Sequence, residues 1–212
     1  MSKPVVWLAS YPRSGNTFLR SVLKQCFDMN SASIYRDDLM GRPSIESVAG
    51  HIEHGTDGVL NFDSQPLQLI KTHEPPFDGR PAIYVLRDGR EAVVSLYHFM
   101  HERRPLDAIA GGVSPFGSWA DHVTAWRPEA RPNTLFLRYE DLVCDLGTGI
   151  DQIAAYLKVE PLRRSMPPRE DLAKLDGHWI RSEDAPRATL EGEALARFWE
   201  VNGEVMRAYG YH

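Results

Sequence analysis

Short apolar runs alternate along this chain with segments whose apolar residues recur every three to four positions. That alternation predicts strands followed by helices. Val5-Val6-Trp7-Leu8-Ala9 is an apolar run ending in a Pro/Gly turn, the pattern of a buried strand. From Thr17 to Phe27, apolar residues at Phe18, Leu19, Val22, Leu23 and Cys26 keep helical spacing. Residues 28–66 carry little periodicity and many turn formers, so loops and short helices are expected there. Leu67–Lys71 and Ala82–Leu86 are the next strands, the second being β-branched and aromatic. A helix follows over Gly89–Arg103, with Ala92, Val93, Leu96, Tyr97 and Met100 on one face. Phe116–Trp126 is expected to be helical, Thr134–Leu137 a fourth strand, and Ile150–Leu157 a helix after it. Residues 161–186 are polar and turn-rich, and the last segment places Leu195, Phe198, Trp199, Val205, Met206 and Tyr209 at helical intervals. Strands alternating with helices imply a three-layer α/β fold, a central parallel sheet with helices on both faces.

A chain of 212 residues suits one domain and buries enough surface to fold without disulfide or metal. Its net charge of −5 argues against a general nucleic-acid binder but leaves room for a local basic pocket. Cys26 and Cys144 are too few for a disulfide framework, and a reducing, cytoplasmic setting is expected. No basic segment leads into a long apolar run at the start, and no stretch reaches 18 apolar residues, so neither a signal peptide nor a membrane span is expected.

The first strand–helix junction carries chemistry. Ser10-Tyr11-Pro12-Arg13-Ser14-Gly15-Asn16-Thr17 has the length of the phosphate-loop pattern, with Ser10 for the first Gly and Asn16 for the Lys. Backbone N–H groups and a helix N-terminus suffice to hold an anion there, worth about 0.3–2 kcal/mol per charge. The cation has moved into the loop as Arg13. Loss of the Lys, and of an apolar strand ending in a Mg-holding Asp, counts against a kinase using ATP.

This loop resembles that of the sulfotransferases that use 3′-phosphoadenosine 5′-phosphosulfate (PAPS), which reads Tyr-Pro-Lys-Ser-Gly-Thr-Thr-Trp. The resemblance implies a P-loop NTPase-like fold, and it implies that Arg13, Ser14, Gly15, Asn16 and Thr17 contact the 5′-phosphosulfate and that Phe18 stacks near the adenine. Arg for Lys keeps the charge but replaces a point with a planar fork. Lys71-Thr72-His73 closes a strand, where ligands bind in open parallel sheets, and matches the family's Lys-Thr-His. It implies His73 as general base for the acceptor, worth about 10²–10⁴-fold. Lys71 and Arg13 then stabilise the leaving phosphate, each worth roughly 3 kcal/mol.

Arg87 and Ser95 hold the positions that bind the 3′-phosphate in the family, an Arg closing a strand and a Ser eight residues on. Tyr139, in Arg138-Tyr139-Glu140-Asp141-Leu142, corresponds to a family Tyr on the adenine side. The family's C-terminal Arg-Lys-Gly has no counterpart beyond Trp179-Ile180-Arg181-Ser182, which makes Arg181 the candidate to close on the 3′-phosphate. The usual dimer segment is absent, and the oligomeric state is open. No metal is expected, since His51 with His54 and His98 with His101 each lack a third ligand. The implied activity is sulfuryl transfer from PAPS to a hydroxyl or amine on a small molecule or saccharide. A kinase and an inactive nucleotide-binding scaffold are the alternatives. Phe116, Trp119, Trp126, Trp179 and Met100 fit either an acceptor pocket or the core.

Overall fold

The computed structural model describes residues 3–39, 42–100, 103–175 and 189–212. Trp179 and Arg181 lie outside the described residues. Five parallel strands form one sheet: β1 (Val5–Ala9), β2 (Ala32–Ser33), β3 (Gln68–Thr72), β4 (Ala82–Leu86) and β5 (Thr134–Arg138). Their order is β2-β3-β1-β4-β5, so the chain leaves β1 for one side of the sheet and later crosses to the other. That reversal opens a crevice beyond the carboxyl ends of β1 and its neighbours.

Alternating side chains of each strand feed two cores. Val6 and Leu8 of β1, Leu69 of β3, Ile83 and Val85 of β4 and Leu137 of β5 face one side. There they meet α1 (Asn16–Phe27) through Leu19 and Leu23, and α7 (Leu146–Leu157) through Ile150 and Ile153. Trp7 and Ala9, with Tyr84 and Leu86, face the other side. That side is covered by α3 (Gly89–Phe99), α4 (Leu106–Ala110), α5 (Trp119–Trp126) and α9 (Gly192–Ala208). Strands buried on both faces read as continuous apolar runs, as β1 and β4 do, and β3 and β5 keep a shorter apolar centre, which makes these four legible in the sequence.

The remaining helices are short: α2 (Pro43–Ala49), α6 (Tyr139–Cys144) and α8 (Arg169–Leu175). Several expected bounds shift for local reasons. α3 is capped by Met100, whose N–H bonds Leu96 O, and does not reach Arg103. α5 begins at Trp119 because the Ser118 hydroxyl accepts from the Asp121 N–H and fixes the start. α7 begins at Leu146, four residues earlier than expected, because Asp145 caps it through the Thr148 N–H. Tyr139 opens α6 directly after β5.

Candidate active site

The carboxyl edge of the sheet gathers one contribution from each strand. After β1 the chain turns through Arg13 (φ 65°) and Gly15 (φ 102°), both left-handed, and enters α1. Positive φ on either side of Ser14 curls the backbone into a concavity of the kind that suits an anion. Gly15 is required twice over: its φ favours glycine, and a Cβ there would stand 2.4 Å from Tyr139 Cδ2. The first N–H groups of α1 have no acceptor within the helix.

A cavity of about 540 Å³ lies against this loop. It is lined by Arg13, Gly15, Asn16, Thr17, Phe18, Arg87, Ser95 and Tyr139. Tyr35, Asp38, Lys71, His73, Phe99 and Phe116 line it as well. The structure thus brings together the described sequence-predicted residues, with two differences in side-chain use. Asn16 turns its amide back on the sheet, donating to Leu8 O at 2.9 Å, so only its backbone is left to meet an anion. Ser14 is buried in the loop, and among the described residues its hydroxyl has no hydrogen-bond partner.

The cations are already organised. Arg13 Nε donates to Ser95 Oγ at 3.2 Å, and its guanidinium lies 4.8 Å over the Phe99 ring. Arg87 donates to Arg13 O (3.1 Å) and to Glu91 Oε2 (3.2 Å), with its guanidinium 4.7 Å over the Tyr139 ring. Phe18 meets Tyr139 edge-on at 6.0 Å. The Arg87 backbone is itself fixed: its carbonyl accepts from Trp119 Nε1, and the next N–H, of Asp88, donates to Glu140 Oε1.

His73 has a defined tautomer. Its Nδ1 lies 2.7 Å from Ser10 O, and a carbonyl only accepts, so Nδ1 carries the proton and Nε2 keeps a lone pair. Burial, then the Lys71 charge, push its pKa well below the ordinary value, so the ring is neutral at pH 7. Tyr35 stacks on it at 5.9 Å, and Phe116 meets both rings edge-on. Behind it, Trp126 Nε1 donates to Glu74 O and steadies the strand end. Trp119 and Trp126 are therefore core residues that brace the site, whereas Phe116 lines it.

A family profile described as a sulfotransferase domain matches residues 3–183. The chain belongs to the sulfotransferase family. It is 31% identical over 196 residues to Cytosolic sulfotransferase 1 of Danio rerio, covering 80% of this chain and 63% of that relative. The chain spans about three fifths of the length of the curated relatives it matches first. Mouse sulfotransferase SULT7A1 complexed with PAP shares the fold, with TM-score 0.54 at 21% identity over 84% of this chain and 65% of that one. The sulfotransferase domain of the Synechococcus PCC 7002 olefin synthase superposes over 100% of this chain and 97% of its own, with TM-score 0.50 at 16% identity.

Within this site, three residues, Asp38, Arg20 and Tyr35, carry no sequence signal of their own. Asp38, after β2, bonds Lys71 Nζ at 2.5 Å and Arg20 Nη1 at 2.7 Å. Burial would raise the Asp38 carboxyl, but the two cations hold it at about 2. Burial pushes Lys71 down, Asp38 pulls it back and Arg20 opposes that, leaving it at about 8. Tyr35 donates to Glu74 Oε1 and accepts from the His73 N–H. Of the histidines weighed as metal ligands, His51 Nδ1 sits 2.9 Å from the Arg20 guanidinium and His54 Nε2 bonds Ser33 O.

Proposed function

We propose that this protein transfers a sulfuryl group from PAPS to a hydroxyl or amine acceptor, in line and without a metal. The observation that carries the reading is the His73 tautomer: a neutral imidazole with its proton committed to Ser10 O, lining the same cavity as the phosphate loop.

The residues present suit such a donor. The unpartnered, buried Ser14 hydroxyl and the left-handed turn at Arg13 and Gly15 form a cradle for a compact anion. Arg87 and Ser95 line the same cavity and supply a second anion site, which a nucleotide with a 3′-phosphate uses and ATP does not. Bound PAPS would supply a sulfuryl group activated by its bond to phosphate. Arg13, Ser14 and the Gly15–Thr17 backbone would hold the phosphosulfate end, Arg87 and Ser95 the 3′-phosphate, and Phe18 and Tyr139 the adenine side. His73 takes the acceptor's proton at Nε2. Lys71 and Arg13 stabilise negative charge on the leaving phosphate oxygen.

Tyr35, Phe99 and Phe116 give the acceptor end an aromatic wall suited to a small molecule, with a saccharide the other acceptor class. PAP bound to the mouse relative supports PAP as the second product here. Among the described residues no helix is long and apolar enough to cross a membrane. A cytoplasmic setting belongs to the same reading, supported by a relative named cytosolic. Calorimetric titration with PAP, and with ATP plus Mg²⁺, tests it: PAP should bind and ATP should not, and the reverse would overturn the reading. In parallel, His73→Ala should abolish transfer while PAP binding survives.

A further inference from the structure

Three ionised groups lie side by side at the inner wall of the cavity. The side chain of Arg20 is 0% exposed, that of Asp38 4% and that of Lys71 6%. Arg20 spends its donors around Asp38: Nη1 on the carboxylate, Nε on Ser31 Oγ at 2.8 Å, and Nη2 against His51 Nδ1 at 2.9 Å. Asp38 and Lys71 line the cavity, whereas Arg20 is not among its lining residues. Burying such a cluster is costly, and apolar side chains of equal volume would serve stability as well or better. Its arrangement is that of a layered support: an inner cation, a carboxylate held at both oxygens, and an outer cation at the site.

We infer that Asp38 is a positioning residue for Lys71, with Arg20 locking Asp38 from behind, so that one ammonium is held charged and in a fixed place at the cavity wall. The inference rests on the transferase reading, in which Lys71 meets the leaving phosphate. Lysine on a four-carbon stem is otherwise a mobile point charge. Fixing it beforehand removes the reorganisation that a late-arriving cation would need. The charged and titratable groups facing Lys71 include Asp38 and Tyr35 from the segment after β2, Arg20 from α1 and Arg13 from the phosphate loop. His73 on its own strand and His51 feel its charge in turn. Both histidines are neutral at pH 7, so the balance around Lys71 is one carboxylate against two guanidinium groups.

The test uses two substitutions of opposite sign. Asp38→Asn removes the group that favours the ammonium, and Arg20→Met removes one that opposes it. Lysine ¹³Cε resonances are titrated in the ligand-free protein, with the Lys71 signal assigned by its loss in Lys71→Arg. In the wild type Lys71 should titrate near 8. Asp38→Asn should move that titration down by about one pH unit or more, and Arg20→Met should move it up. The alkaline limb of kcat/KM should follow both shifts, and Asp38→Asn should lower kcat about a hundredfold. A Lys71 signal that titrates at the same pH in all three proteins overturns the inference, as does a wild-type value at the ordinary 10.5. The wild-type titration and Arg20→Met keep the test decisive if Asp38→Asn does not fold. Failure of the wild type to bind PAP overturns the transferase reading instead, and it is distinguishable because the resonance titration uses no nucleotide.

Discussion

A single hydrogen bond, from His73 Nδ1 to Ser10 O, decides which nitrogen does chemistry. The ring's burial and the nearby Lys71 charge lower its pKa, so the neutral base persists well below pH 6.5. The profile of kcat/KM reports the free enzyme. Its acid limb should therefore lie below pH 6.5 and its alkaline limb near 8, where Lys71 loses its proton. An acid limb above 6.5 would mean that His73 is not the neutral base. Arg87 makes a second residue-level claim. It is pinned between Arg13 O and Glu91 in a way that leaves a charged fork at the cavity. Charge-assisted hydrogen bonds are worth about 1.5–3 kcal/mol, so Arg87→Ala should weaken PAP roughly 10- to 100-fold. Adenosine 5′-phosphate, which lacks the 3′-phosphate, should bind nearly as before. Equal loss for both nucleotides would remove Arg87 from the 3′-phosphate site.

The phosphate loop and α1 act as one element, because the loop ends in the helix cap. Gly15→Ala adds a Cβ 2.4 Å from Tyr139 Cδ2 at φ 102°, so strain and clash coincide. The variant should lose about 2–3 kcal/mol and its PAP binding. Gly192, at φ 52° with no described atom within 4 Å of an added Cβ, is the control. Gly192→Ala should lose less stability and keep PAP binding; matching losses in both variants would show that the close approach of Tyr139 does not matter. Element length also decides what the sequence reveals. β1 and β4 are apolar runs of five residues, β3 and β5 keep a shorter apolar centre (Leu69-Ile70 and Leu135-Phe136-Leu137), and the residues just past them, His73, Arg87 and Tyr139, are legible because strand ends are legible. β2 is only Ala32–Ser33, too short for any period, and Asp38 follows it through an unpatterned loop. Arg20 is hidden for another reason. α1 is buried by α2 as well as by the sheet, so a cation on that second face looks solvent-exposed to any one-sided reading of the helix. Only its pairing with Asp38, 18 residues on, explains it.

Across the whole molecule, stability and catalysis share buried neutral histidines. His122 is 3% exposed, wedged among Tyr11, Tyr84 and Trp126, and its Nδ1 lies 2.8 Å from the Tyr84 hydroxyl. Burial lowers its pKa to about 3. The unfolded chain takes up a proton at this residue near 6.5, whereas the folded protein refuses it down to about 3, so stability is present above 6.5 and is lost as pH falls through that window. One such group contributes a loss of about 1.4 kcal/mol per pH unit. His51, at about 4, acts in the same direction but is more exposed and counts for less. Asp38 differs in its window: its stabilisation is intact above 3.8 and is lost only as pH falls toward about 2. Acid unfolding should thus begin with the histidines, well before the ion pairs protonate. Urea unfolding at pH 7.5 and at pH 5.5 should show the lower stability at 5.5. His122→Gln keeps an acceptor for the Tyr84 hydroxyl but removes the titration, so the difference between the two pH values should shrink by about 1.4 kcal/mol. An unchanged difference would place the acid sensitivity elsewhere.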